Sequence, residues 1–360
     1  MSSLTDAAEQ MEMVEANGKS ADLENGVGPA EVKAGPSDSQ KLMRAALAGN
    51  LQWTGSYCAA PRHQLAAPPP RTTSPPHALS PLPPPPEAVG TGFIVLFGCG
   101  SVCSTRSGAW SGVWQVAACW GFGVALAIYA TADISCAHLN PAITLAFQLV
   151  RPKGTGGVAG DMTWYKSGVF MLAQLLGAVT AGFINFGVFE STLAAFERAN
   201  DITRGEPRSI LTALAFGEYF PNPDLNSRWT DGGVYRDSDV SPIGAMFTEA
   251  WGTFVLAFLI FSMTHDKNKI GLGSFTPFMI GCIVACNLGL YAPITQAGWN
   301  PARDFGPRLV AAMVGWGKVA IPGPRWDFWI YIVGPFLGGP TGAFLAESYF
   351  SWNAVPAKAE

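Results

Sequence analysis

The tripeptide Asn-Pro-Ala occurs twice, as Asn140-Pro141-Ala142 and Asn300-Pro301-Ala302, and each copy opens an apolar stretch too short to cross a membrane. Asparagine is a favoured helix N-cap, proline is pre-set for the first helical position, and alanine propagates a helix, so each triplet reads as a helix start. Two such starts at bilayer depth bring two positive helix ends and two amide side chains to one place. Non-helical backbone leading into them is tolerated there only where protein buries it or water lines it. The pairing points to a pore.

The surroundings fit a membrane. The chain of 360 residues is 49% hydrophobic and only 13% charged, apolar beyond a typical soluble domain. Apolar segments at 88–104, 112–131, 164–189, 242–263, 274–292 and 327–350 each approach bilayer length, whereas 140–150 and 300–315 fall short. The expectation is an all-α membrane protein of six transmembrane helices plus two re-entrant half-helices. A long polar connection, 191–241, is placed outside the bilayer. Mean hydropathy is only +0.22 because this loop and the amino-terminal segment dilute the spans.

The two halves repeat. Glu87-Ala88-Val89-Gly90-Thr91 opens the first span and Glu249-Ala250-Trp251-Gly252-Thr253 lies in the fourth, 53 and 51 residues before Asn140 and Asn300. Three spans per repeat is an odd number, so the second copy enters from the opposite side and the repeats are inverted. Arg151, Lys153, Lys267 and Lys269 fall in short loops on one side, against Arg106 on the other. The positive-inside rule then makes the amino and carboxyl termini cytoplasmic.

Residues 1–86 read as a disordered cytoplasmic tail, with 11 of the 28 prolines between 61 and 86. The abrupt join at Glu87 is also what a translated intron over residues 52–85 would leave. The channel domain is expected over 87–350, and 351–360 is a short cytoplasmic end. The first 25 residues are acidic and hold no apolar core, so no secretory signal is read there. A net charge of -4 without a basic block argues against nucleic acid. No disulfide or zinc spacing, nucleophile with its base, or phosphate loop is present, so neither metal nor cofactor nor enzyme is expected.

The stretches HLNPAITLAF and GWNPARDFGPRL, with CWGFGVALAIY before the first and a glutamate in the first and fourth spans, resemble the major intrinsic protein family of aquaporins and glycerol facilitators. Asp304 and Arg308 after the second triplet, and FGEYFPNP at 216–223, resemble its glycerol-facilitator branch. Tyr331 stands where that branch more often has proline. The resemblance implies an aquaporin-like fold and a homotetramer in the lipid bilayer. The plasma membrane is the default expectation, before an internal one.

It also implies roles. Asn140 and Asn300 read as amide donors to a permeant oxygen; capping occupies the side-chain oxygen and leaves the amide hydrogens for the pore. Arg303, one turn beyond Asn300, belongs to a constriction whose other corners fall on Trp120, Leu288 and Ala297, and its first-half counterpart is Ile143. Cys136, Ala137, His138, Gln296 and Gly298 supply pore carbonyls, His138 through its backbone rather than its ring. Glu87 and Glu249 support the loops by accepting backbone hydrogen bonds. Asp304 and Arg308, spaced i, i+4 with the acid first, read as a helix-surface pair.

The function expected is passive conduction of small neutral solutes, glycerol and water first, then urea or hydrogen peroxide, with ions and protons excluded. Alternatives from other classes are a water-selective channel, a coupled secondary transporter built on inverted repeats, and a non-conducting scaffold.

Overall fold

A computed structural model describes residues 85–109, 112–268 and 270–352. The proline-rich tail, the proposed intron and the carboxyl-terminal segment lie outside these residues, apart from Pro85, Pro86, Ser351 and Trp352, which are helical. The regular elements of the described residues are helices, with no strand among them.

The long helices are α1 (Pro85–Thr105), α2 (Val113–Ser135), α4 (Trp164–Ala199), α5 (Pro242–Met263), α6 (Thr276–Thr295) and α8 (Ile330–Trp352); the short ones are α3 (Pro141–Val150) and α7 (Pro301–Ala311). Local chemistry places their starts. Ser241 caps α5, Thr163 caps α4, and Asn140 and Asn300 cap the half-helices, each accepting a backbone N–H of the first turn. Among the described residues, five helices are apolar and long enough to cross a bilayer. The sixth, α8, has 23 residues, about 34 Å at 1.5 Å each, and its four glycines and two prolines make it less apolar. The half-helices together span about 31 Å, one hydrocarbon thickness laid end to end.

Contacts obey the repeat. α1 packs on α2 and α4 as α5 packs on α6 and α8, and α2 meets α6 at the centre. Each half-helix packs chiefly on the third long helix of the other repeat, α3 on α8 and α7 on α4. Small residues permit this closeness. A Cβ on Gly121 would strike the Gly281 carbonyl and one on Gly281 the Gly121 carbonyl, so α2 and α6 approach backbone to backbone. Outward faces carry exposed Phe122, Leu126, Leu172, Val188, Phe247 and Phe344, as a lipid-facing surface does.

The long connection departs from its expected form. Helix α4 continues to Ala199, about 54 Å in all, so the connection begins at Asn200. Residues 209–221 are buried throughout, and Ile210, Leu214, Phe216 and Tyr219 share an apolar cluster with Leu193 and Trp316. A segment this apolar cannot stay in water, and it folds back onto the α7 end of the molecule.

Candidate functional site

The site begins where α2 and α6 end. Cys136 and Gln296, their C-caps, both turn left-handed, at φ 64° and 61°. Ala137 and Leu139 follow at 50° and 51°, and Ala297 and Trp299 at 72° and 48°. The same three positions are thus inverted in each repeat, at about 1–2 kcal/mol per non-glycine residue. Such backbone must be held. Glu87 accepts from His138 N (3.0 Å), Leu139 N (2.8 Å), Ser135 Oγ (2.6 Å) and Gln174 Nε2 (2.7 Å). Glu249 accepts from Gly298 N (3.1 Å) and Trp299 N (2.8 Å), with the Thr295 hydroxyl beside it. Both carboxylates are wholly buried, and neither lines the lumen.

The two asparagines face one another across the repeats. Asn140 Oδ1 accepts from Ala142 N (2.9 Å) while Nδ2 donates to the Trp299 carbonyl (2.9 Å). Asn300 Oδ1 accepts from Ala302 N (3.1 Å) and Arg303 N (3.3 Å), while Nδ2 donates to the Leu139 carbonyl (2.8 Å). This corrects the expectation that capping leaves both amide hydrogens for the pore. One hydrogen of each amide locks its half-helix to the other repeat, and one remains.

Cys136, Ala137, His138 and Gly298 line the lumen with the two asparagines. Gln296 is not among the lining residues: its side chain turns outward, accepting from Tyr219 N (2.8 Å) and so anchoring the long loop. The His138 ring stacks on Phe147 (4.6 Å) and packs edge-on to Phe170 (5.3 Å), away from a role as a pore ligand. Aliphatic stripes complete the wall: Val124 and Ile128 from α2, Leu256 and Ile260 from α5, Ile280 and Val284 from α6. Spacings of four put each stripe on one helix face.

Trp120, Leu288, Ala297 and Arg303 all line the lumen. The Arg303 guanidinium sits 3.8 Å from the Trp120 ring centroid, within cation–π range. Its ion-pair partner is Glu218 of the long loop, and both side chains are buried. Sequence reasoning assigned Glu218 no role. An acid inside the apolar run 209–221 was the available signal, since a buried acid demands a partner.

Asp304 and Arg308 are a correction of another kind. They pair at 2.9 Å as the spacing predicts, yet both side chains are fully buried rather than on the surface. Asp304 Oδ1 also accepts from Glu218 N (2.7 Å), and Arg308 donates to the carbonyls of Ala320 (3.0 Å) and Glu218. The pair therefore clamps the returning loop, and with it Glu218, onto α7. Tyr331, fully buried, packs against Gly298, where a Cβ would meet its ring. Among the described residues no cluster of His, Cys, Asp and Glu has the make-up of a metal site.

Comparison with known proteins gives a consistent result. A family model described as "Major intrinsic protein" matches residues 86–346. The glycerol uptake facilitator protein of Haemophilus influenzae is 34% identical over 270 residues, covering 74% of this chain and 93% of that protein. That of Escherichia coli K12 is 35% identical over 262 residues, covering 72% and 84%. A propanediol uptake facilitator of Salmonella typhimurium is 33% identical over 272 residues, covering 74% and 93%. Among solved structures, the aquaglyceroporin from Plasmodium falciparum superposes with a TM-score of 0.57 at 22% identity, covering 74% and 93%, a likeness of fold.

Proposed function

The chain belongs to the major intrinsic protein family, and from that premise we propose that it is a passive membrane channel for glycerol and water that excludes ions and protons. The observation that carries this reading is the central pair of amides. Each is held by a cap on one side and a carbonyl of the other repeat on the other, with one hydrogen left beside an aliphatic wall. A neutral solute exchanges its hydration for those donors and for the carbonyls of the two crossing segments, while its carbon side needs no partner. An ion finds no complete shell there. The positive ends of α3 and α7 meet at the same level and oppose a proton moving along a water file.

The pairing of Arg303 with Glu218 refines the mechanism. Compensated at close range, the guanidinium offers its remaining N–H groups to a solute hydroxyl without leaving a lone charge, so ion rejection rests on missing hydration. The glycerol and propanediol facilitators among the relatives support small polyols as the solute class. The small Ala297 leaves room for urea as well. Glu87 and Glu249, occupied by backbone donors and removed from the lumen, argue against proton-coupled transport. A plasma-membrane homotetramer with both termini cytoplasmic completes the proposal.

Stopped-flow light scattering on proteoliposomes under parallel water, glycerol and urea gradients tests it. Glycerol flux well above that of empty liposomes is expected beside water flux. Fast water flux with glycerol and urea at the empty-liposome rate would leave a water channel only.

A further inference from the structure

The residue before each central asparagine breaks the symmetry of the repeats: Leu139 in the first, Trp299 in the second. Their backbones act alike, both left-handed, both donating N–H to the glutamate of their own repeat and both accepting the opposite asparagine's amide. Only the side chains differ. The Trp299 indole packs its pyrrole edge against Gly252, where any Cβ would overlap it, and stands at 88° to the Tyr291 ring at 6.2 Å. Tyr291 is itself held by Trp251 Nε1 (3.0 Å). So the ring has one position.

Trp299 is among the residues that line the lumen with Asn140, Asn300 and Leu256, the last of these one turn beyond Gly252 on α5. The indole Nε1 is sealed from the lumen and has no hydrogen-bond partner among the described residues. What Trp299 offers a passing solute is therefore carbon, in a flat rigid face, at the level of the two amide donors. At the outer ring the corner at position 297 is only a methyl group.

Resting on the channel function proposed above, we propose that Trp299 is a specificity-determining residue: its indole backs the carbon chain of a two- or three-carbon polyol while the hydroxyls engage Asn140 and Asn300. Selection of polyols over urea is then made at mid-membrane rather than at the outer ring. Urea, polar around its whole edge, gains little from such a wall, whereas glycerol and propanediol present a carbon side to it.

The test measures glycerol, propanediol, urea and water permeation on one proteoliposome preparation for wild type, Trp299→Leu, Trp299→Met and Trp299→Phe. Leucine copies the first repeat, methionine keeps length without a flat face, and phenylalanine keeps the face. The glycerol-to-urea ratio should fall about fourfold in the leucine and methionine variants, the scale expected when one CH2 group of the solute loses its apolar wall. Phenylalanine should restore at least half of it. Water flux reports that a variant is inserted and open, and the methionine variant decides the matter if the leucine variant does not fold. A ratio that stays within about 1.5-fold of wild type in the leucine or methionine variant, or a phenylalanine variant as impaired as leucine, overturns the inference. Wild-type protein that passes no glycerol overturns instead the glycerol conduction on which it rests.

Discussion

Replacing Glu87 by glutamine tests whether the crossing loops are held by a carboxylate. Oε1 accepts from Ser135 Oγ and His138 N, and Oε2 from Leu139 N and Gln174 Nε2. Glutamine has one oxygen and one NH2, so one side becomes a donor. If that side replaces Oε1, the Ser135 hydroxyl can rotate to accept, but the His138 N–H cannot. If it replaces Oε2, Gln174 can flip its amide, but the Leu139 N–H cannot. Either way one buried backbone N–H is orphaned, costing about 1–3 kcal/mol, and each remaining bond loses its charge assistance at about 1 kcal/mol. The sum is on the order of 5 kcal/mol, a large part of a typical 5–15 kcal/mol of stability. At roughly 2–4 °C per kcal/mol, thermal unfolding in detergent should fall by about 10 °C or more. Glu249→Gln should behave alike, because Gly298 N and Trp299 N share its carboxylate in the same way. Glu190→Gln, on a half-exposed side chain 3.9 Å from Arg204, should melt with wild type. A Glu87→Gln protein melting within about 2 °C of wild type, or roughly 1 kcal/mol, would refute the reasoning.

Asn300→Asp keeps an acceptor for Ala302 N and Arg303 N but sets a carboxylate oxygen against the Leu139 carbonyl, now 2.8 Å from the amide nitrogen. Glycerol flux should drop about tenfold, in line with a lost buried hydrogen bond of roughly 1–3 kcal/mol, and wild-type flux in liposomes would remove the amide from the mechanism. Ala297→Phe combined with Leu288→His should narrow the lumen beside Trp120 and Arg303 and cut glycerol flux sharply while water still passes, as parallel stopped-flow traces would read. Asp327 lies outside the spans, just before α8, and burial pushes its carboxyl from 3.8 up to about 6. A raised carboxyl pKa means the folded state holds the proton more tightly, so the penalty is absent below about pH 4, grows through pH 6 and is complete above it. Near 1.4 kcal/mol per pH unit, that is about 3 kcal/mol at neutral pH. Asp327→Asn should melt higher than wild type at pH 7.5, and the gap should close toward pH 4 in detergent melts; a gap independent of pH would contradict the assignment.

Much of the architecture was legible because it is local or periodic. An Asn-Pro-Ala helix start is written in adjacent residues, a span is a matter of length and apolarity, and an inverted repeat follows from an odd number of spans between matched glutamates. The chain order of α1 to α8 needs no knowledge of what touches what. Partner choice does. The locks between Asn140 and Trp299, and between Asn300 and Leu139, join residues 159 and 161 positions apart, and they arise only because each half-helix packs into the opposite repeat. Spacing foretold that Asp304 and Arg308 would pair, but only the fold buried them beneath the returning loop. Glu218 became the counter-charge of Arg303 for the same reason: an apolar run that avoids water was carried back across α7, and the one acid within it came to rest on Arg303 at the lumen. Sequence periodicity reports which face of an element is apolar; which distant group meets that face is settled by the path of the chain in space.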